Sequence, residues 1–182
     1  TEMGWPTNYG TNGCSERRQA RRLARMYILC KSLPFVERVS WYDFKDDGLD
    51  PTYHEHRFGL MRHDRYNWAP KPAAIAFATV ARELSNARPA ERFSDEGLYA
   101  CVFERNGRHT VAAWSADTAA AEAPAGRVHL QGTVTDVRTM MGQRVAADPD
   151  DASSATFDLG PEPLYIHGAF TGPPQLVPQA GR

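Results

Sequence analysis

The sequence has little cysteine, no long apolar run and almost no net charge. Its 182 residues include three cysteines, Cys14, Cys30 and Cys101, at spacings that suggest neither a CxxC pair nor a disulfide framework. No segment approaches the roughly 20 apolar residues that a membrane helix needs. The formal net charge of −1 argues against a nucleic-acid binder that depends on bulk positive charge. We therefore expect a globular chain that binds neither membranes nor nucleic acid.

The first strong helix signal begins at Ser15. This serine can cap a helix that runs to about Ser32, because apolar residues recur at helical spacing between the two. The same segment contains five arginines, which we expect on a solvated face of the helix. They are Arg17, Arg18, Arg21, Arg22 and Arg25.

A strand and a second helix follow. The segment "FVERVSWYDF", residues 35–44, is rich in aromatic and β-branched residues and is predicted to be a strand. Pro72 suits the first turn of a helix, whose apolar stripe ends before Pro89. Helix and strand signals in this order are typical of a parallel α/β sheet or barrel.

The second half of the sequence favours antiparallel strands. The dipeptide Asn106-Gly107 joins two apolar runs and is a strong hairpin signal, and Trp114 in the second run is expected in a core. Gly, Pro and Asp separate the further strand candidates. These are residues 127–130, 134–138, 155–159 and 164–167.

We therefore predict an all-β unit at residues 91–172, most simply a small antiparallel β-sandwich. The alanine-rich segment Ala119–Ala123 is the one helical pattern within it. The Pro-rich tail, residues 173–182, is expected to be flexible.

The long polar segment between the strand and the second helix hints at function, because structureless loops of this length are uncommon in compact domains. It contains "YHEHRFGLMRHD", residues 53–64. His54, Glu55, His56 and His63 could bind a divalent ion, but their spacing matches no closed structural zinc pattern. We predict no metal site and no cofactor.

The motifs "TEMGWPT", "VSWYDFKDDG", "EHRFGL" and "KPAAIAF", in this order, resemble the end of a clan A glycoside hydrolase barrel, with family 39 the nearest likeness. The resemblance implies that residues 1–88 are the last two strands and helices of a (β/α)₈ barrel. It implies that Glu2 is the nucleophile at the tip of strand seven and that Trp41 stacks under the sugar. The motif "PEPLYIHG" then looks like part of the β-sandwich appended to such barrels.

The implied activity is hydrolysis of β-linked sugars with retention, which uses two carboxyl groups. In the resembling clan the acid/base glutamate follows an asparagine, and no Asn-Glu pair occurs in this sequence. Glu55 is the spare carboxylate that could replace it. Trp5 either lines the sugar site or packs beneath the loop, and Asp46 either contacts sugar or shapes the turn around Gly48.

A whole barrel needs roughly 250 residues, so residues 1–88 leave it incomplete. The chain could be the C-terminal piece of a longer enzyme, could assemble as a homo-oligomer, or could be a sandwich with a barrel remnant. The rival function is a non-catalytic carbohydrate-binding module. The compartment is not encoded in these motifs, although the family likeness favours an extracellular one.

Overall fold

The computed structural model describes residues 2–116, 124–147, 149–151 and 153–179. The described chain is a mostly antiparallel sheet that follows two α-helices and a long irregular segment. The predicted helical segment Ala119–Ala123 lies outside the described residues. Neither α-helix of the described part has the length and apolarity to cross a membrane.

Both predicted helices are confirmed. Helix α1 (Glu16–Lys31) begins after Ser15, whose hydroxyl accepts a hydrogen bond from the backbone N–H of Arg18 and so satisfies one free donor of the first turn. Helix α2 (Pro72–Leu84) starts at its proline. The two helices pack together through small buried residues of α1 and α2. These include Ala20, Leu23, Ala24, Ala73 and Ala76.

The expectation of a solvated arginine face on α1 is only partly correct, since Arg17 and Arg18 are exposed but the Arg21 side chain is 13% exposed. Arg17 and Arg21 both pair with Glu162, the latter with an Nε–Oε1 distance of 3.2 Å. Arg25 donates a hydrogen bond to the carbonyl of Pro161. The face therefore ties α1 to a connection in the sheet-rich half.

The predicted strand at residues 35–44 is mostly wrong. Its strand part is β2 (Ser40–Trp41), which pairs in parallel with β1 (Glu2–Met3). The ends are open to solvent, with Phe35 77% and Phe44 63% exposed. A strand needs a neighbour to accept and donate its backbone hydrogen bonds, and β1 supplies two residues of ladder. The high strand propensity of residues 35–44 therefore did not extend β2 beyond the two residues that pair with β1.

Eight strands form one connected sheet in the described residues. Their order is β3-β4-β5-β9-β6-β8-β7, with β10 also paired to β6. In chain order they are β3 (Arg88–Asp95), β4 (Leu98–Arg105), β5 (Arg108–Ser115), β6 (Gly126–Arg138), β7 (Pro149–Asp151), β8 (Ser154–Leu159), β9 (Leu164–Phe170) and β10 (Gln175–Pro178).

Strand β6 joins the two parts of this sheet. It unites the two strand candidates at 127–130 and 134–138, with a register shift between Val134 and Asp136. Its first part pairs with β8 and β10, and its second part pairs with β9. The β4–β5 hairpin at Asn106-Gly107 is confirmed. Strand β6 is therefore the strand through which the two parts of the sheet are connected.

Two apolar cores cover the two faces of the strands. One is formed by residues of the sheet that include Leu98, Val111 and Leu130. In the other, Ile28 of α1 and Leu84 of α2 pack with sheet residues that include Trp114, which is 2% exposed. The expected core position of Trp114 is confirmed. The helices are therefore held on the sheet by a shared core.

Two segments form strands that the sequence analysis did not predict, the C-terminal tail and the segment after α2. Residues 175–178 of the tail form β10 against β6, so a uniformly flexible tail is wrong. The apolar side chain of Leu176 packs against the sheet core, which stabilises this strand. The sequence analysis also missed β3, whose mostly exposed and charged residues are typical of an edge strand.

Candidate active site

The pairing of β1 with β2 defines the candidate site. Glu2 lies opposite Ser40 and Met3 opposite Trp41, and the Tyr42 backbone N–H donates to the Met3 carbonyl at 2.9 Å. Glu2 is exposed to solvent. The site therefore has a surface carboxylate at the end of one strand, beside the strand that carries Trp41.

Gly4 explains how the chain turns from Glu2 to Trp5. A Cβ atom built at Gly4 would lie 2.0 Å from the Tyr42 carbonyl oxygen and 2.9 Å from a ring carbon of Phe58. No side chain fits at that distance, so the residue must be glycine for β1 to approach β2 this closely. The glycine in "EMGW" is thus a packing requirement of the site.

Two tryptophans, one after β1 and one in β2, meet in this site. The ring centroids of Trp5 and Trp41 are 5.9 Å apart at an interplanar angle of 43°, and both side chains are half-buried. The guanidinium of Arg22 lies 5.8 Å from the Trp5 ring centre, a cation–π distance. The structure brings Trp5 and Trp41 together. Sequence reasoning missed Arg22, because its helical spacing alone indicated a solvated face.

Glu55 lies in a 3₁₀ helix, His54–Arg57, and contacts the end of β2. The Tyr42 hydroxyl donates to Glu55 Oε2 at 3.0 Å, and His54 Nε2 lies 3.0 Å from Glu55 Oε1. The hydrogen bond to Glu55 raises the pKa of the Tyr42 phenol, so the phenol stays protonated as a donor. Among the described contacts, the Glu55 carboxylate meets Tyr42 and His54 rather than Glu2.

Asp46 has a structural setting that the sequence analysis did not foresee. Its side chain is 1% exposed, and Oδ1 lies 2.6 Å from the Lys71 ammonium, which is also 1% exposed. The same Oδ1 accepts the backbone N–H of Gly59 at 3.0 Å. Burial lowers the pKa of Lys71, while the hydrogen bond and charge of Asp46 oppose that shift. The Asp46 carboxylate is enclosed in this ion pair and has almost no exposed surface for a sugar, so the structure favours its alternative role in shaping the loop.

The three histidines of the long segment have local partners. His54 and His56 both pack edge-on against Tyr53, with ring centroids 5.4 and 4.9 Å away. His63 accepts the backbone N–H of Arg65. Within the described ranges, no group of three or more His, Cys, Asp or Glu residues is arranged to hold a metal ion.

Solved structures similar to this chain include glycoside hydrolases. A family 39 glycoside hydrolase from the gut symbiont Bacteroides cellulosilyticus WH2 matches with a TM-score of 0.73 and 26% identity, over 92% of this chain and 33% of that one. A family 30 subfamily 8 xylanase from Clostridium acetobutylicum matches with a TM-score of 0.60 and 11% identity, over 93% of this chain and 42% of that one. The second likeness concerns the fold alone.

The chain thus spans about a third of the length of the family 39 hydrolase. No protein-family model matches the sequence, and no curated protein matches it. The predicted likeness to the C-terminal part of a clan A glycoside hydrolase is confirmed, since these solved structures agree with it and the chain covers a fraction of each.

Proposed function

We propose that this chain carries the nucleophile end of a retaining glycosidase that acts on β-linked sugars. The observation that carries the proposal is the parallel pairing of β1 and β2, with Glu2 at the strand end and Trp5 in contact with Trp41. The likeness to a family 39 glycoside hydrolase over 92% of the chain supports it.

In this proposal Glu2 attacks the anomeric carbon, which forms a covalent bond to the carboxylate as the bond to the leaving oxygen breaks. The rings of Trp5 and Trp41 offer apolar surface to the C–H face of a sugar. A second carboxyl group, about 5–5.5 Å from the nucleophile, protonates the leaving oxygen and then deprotonates the attacking water. Glu55 is the candidate in this chain for that group, since Tyr42 and His54 orient its carboxylate.

Residues 1–88 are proposed as the last part of a (β/α)₈ barrel and residues 91–172 as its β-sandwich. The barrel part would then be completed by more polypeptide. Exposed aromatic side chains beside the strands, Phe35 and Phe44, support this, because single chains rarely expose large apolar surface. The covering polypeptide is either an N-terminal barrel portion or a second copy of the chain.

Light scattering on the purified chain tests the second copy. We expect a closed homo-oligomer in solution, because symmetric assembly is the commonest way for identical chains to cover shared apolar surface. Phe35→Ser and Phe44→Ser together are expected to shift the oligomer towards the monomer. A stable monomer at all concentrations, with no change in this variant, would rule out self-assembly and leave either a preceding barrel portion or a sandwich with a self-sufficient barrel remnant.

Release of an aryl β-glycoside tests the catalytic proposal. We expect Glu2→Gln to lower kcat by about a thousandfold or more, because the amide cannot form the glycosyl-enzyme bond. Glu91→Gln on the exposed face of β3 is the matched control and should keep the wild-type rate. Equal release by wild type and Glu2→Gln would remove Glu2 from the mechanism.

A carbohydrate-binding protein without turnover is the second candidate. The observation that favours it is the half-buried tryptophan pair, which can bind a sugar face without any catalytic group. Sugar binding by wild type with no release of the aryl group, even by the assembled protein, would favour this candidate over the glycosidase.

A further inference from the structure

One buried amide in α1 contacts the loop that holds Trp5 and the loop around Phe58. Gln19 is 0% exposed, and its Nε2 donates to the Trp5 carbonyl at 2.8 Å and to the Phe58 carbonyl at 3.2 Å. Both neighbours are acceptors, so the NH₂ end of the amide must face them. A buried polar side chain in a helix is costly unless it is hydrogen-bonded. The two bonds meet that requirement for the NH₂ end, whereas Oε1 is buried without a hydrogen-bond partner among the described residues.

The Phe58 carbonyl joins Gln19 to the second tryptophan. It also accepts a hydrogen bond from the indole N–H of Trp41 at 3.3 Å. A continuous path therefore runs from the Trp41 indole through the Phe58 carbonyl and the Gln19 amide to the Trp5 carbonyl. A carbonyl oxygen has two lone pairs and can accept from both donors.

Helix α1 holds Trp5 from two successive turns. Gln19 bonds to its backbone, and Arg22, three residues later, lies over its ring. Residues three apart on a helix share one face, so both contacts come from the same side. Because α1 is also anchored to the sheet through Ile28 in the shared core, it is a rigid support for the loop that carries Trp5.

We infer that Gln19 is a positioning residue that sets the distance and tilt between Trp5 and Trp41, and thereby the fit of the sugar platform. The inference rests on the proposed function of that pair. Gln19 does not touch the sugar in this scheme. It acts through the two backbone carbonyls, one on each side of the aromatic contact.

The substitution Gln19→Glu tests this with little change in shape. It replaces the donating NH₂ by an oxygen that faces two carbonyl oxygens, so the two loops should separate. We expect a changed near-UV circular dichroism of the tryptophans and about a tenfold weaker affinity for an aryl β-glycoside, the size of one lost buried hydrogen bond. KM should rise by a similar factor, with kcat within about twofold of wild type.

Two further variants keep the test decisive. Gln175→Glu makes the same change at an exposed position of β10 and should alter neither signal. In a Trp41→Phe background, Gln19→Glu should leave the near-UV dichroism nearly unchanged, because the contact between the two tryptophans, which produces the signal, is no longer present. If Gln19→Glu does not fold, Gln19→Met removes both donors without repulsion and takes its place.

The measured dichroism and sugar affinity test the positioning role of Gln19 separately from the proposed sugar platform. A folded Gln19 variant with unchanged dichroism and affinity within about twofold of wild type would overturn the positioning role. A changed dichroism with unchanged sugar affinity would confirm that Gln19 positions the pair, and would count against the pair as a sugar platform.

Discussion

Replacing Lys71 with methionine is expected to lower the free energy of unfolding by about 3 kcal/mol, because it takes the closest cation from the buried Asp46 carboxylate and, among the described residues, leaves only Arg57, whose Nη1 lies 3.8 Å from Oδ2. The two charged groups are 2.6 Å apart, and each side chain is 1% exposed. The lysine also donates to the Thr7 hydroxyl and to the Arg57 carbonyl. One side chain thus links the loop after β1, the 3₁₀ helix and the start of α2. Urea unfolding followed by circular dichroism measures the loss.

The chain supplies a matched control for this variant. Lys45 pairs with Asp47 at 3.2 Å, but the two side chains are 39% and 46% exposed. Lys45→Met should therefore cost about 1 kcal/mol or less. The double variant Asp46→Leu with Lys71→Met should be more stable than Lys71→Met alone, since it also removes the buried carboxylate that lost its closest cation. A similar loss for both lysines would show that the buried pair contributes no more than a surface one.

Gly4→Ala is expected to lower the proposed glycosidase activity by about a hundredfold and to destabilise the fold by about 1–3 kcal/mol. The added Cβ would meet the Tyr42 carbonyl oxygen at 2.0 Å, so β1 must move away from β2. Glu2 and Trp5, on either side of the glycine, would move with it. Aryl β-glycoside release measures the loss of activity. The near-UV circular dichroism of the tryptophans measures the displacement of β1 and Trp5.

Gly160→Ala is the control for this substitution, because a Cβ atom there meets nothing within 4 Å. It should leave activity unchanged and stability within about 0.5 kcal/mol of wild type. Wild-type activity in Gly4→Ala would mean that the spacing of β1 and β2 does not matter for the reaction.

Several elements could be predicted because their signals are local. Ser15 caps α1 with its own hydroxyl, and Pro72 starts α2. Asn106-Gly107 closes the β4–β5 hairpin, and both residues have positive φ, 54° and 73°. Such features depend on residues within a few positions of each other, which one sequence contains in full. The order of motifs was also enough for the likeness to a clan A glycoside hydrolase.

The candidate site was only partly predictable. Trp5 and Trp41 were named from the sequence, but their contact depends on residues 36 positions apart being joined by the β1–β2 pairing. Gln19 gave no signal, since a glutamine inside an amphipathic helix looks like any solvated position. Its role depends on two carbonyl groups that tertiary folding brings to it.

The sequence by itself determined where both α-helices begin and where the β4–β5 hairpin turns. It also identified Trp5 and Trp41 as candidate site residues. Tertiary structure decided that only Ser40–Trp41 of the segment 35–44 is a strand, that β10 adds to β6 and that Asp46 is buried with Lys71. The reason is the range of the interactions. A cap or a turn is satisfied by its own neighbours, whereas a strand or a buried charge is stable only where a distant segment supplies its partner.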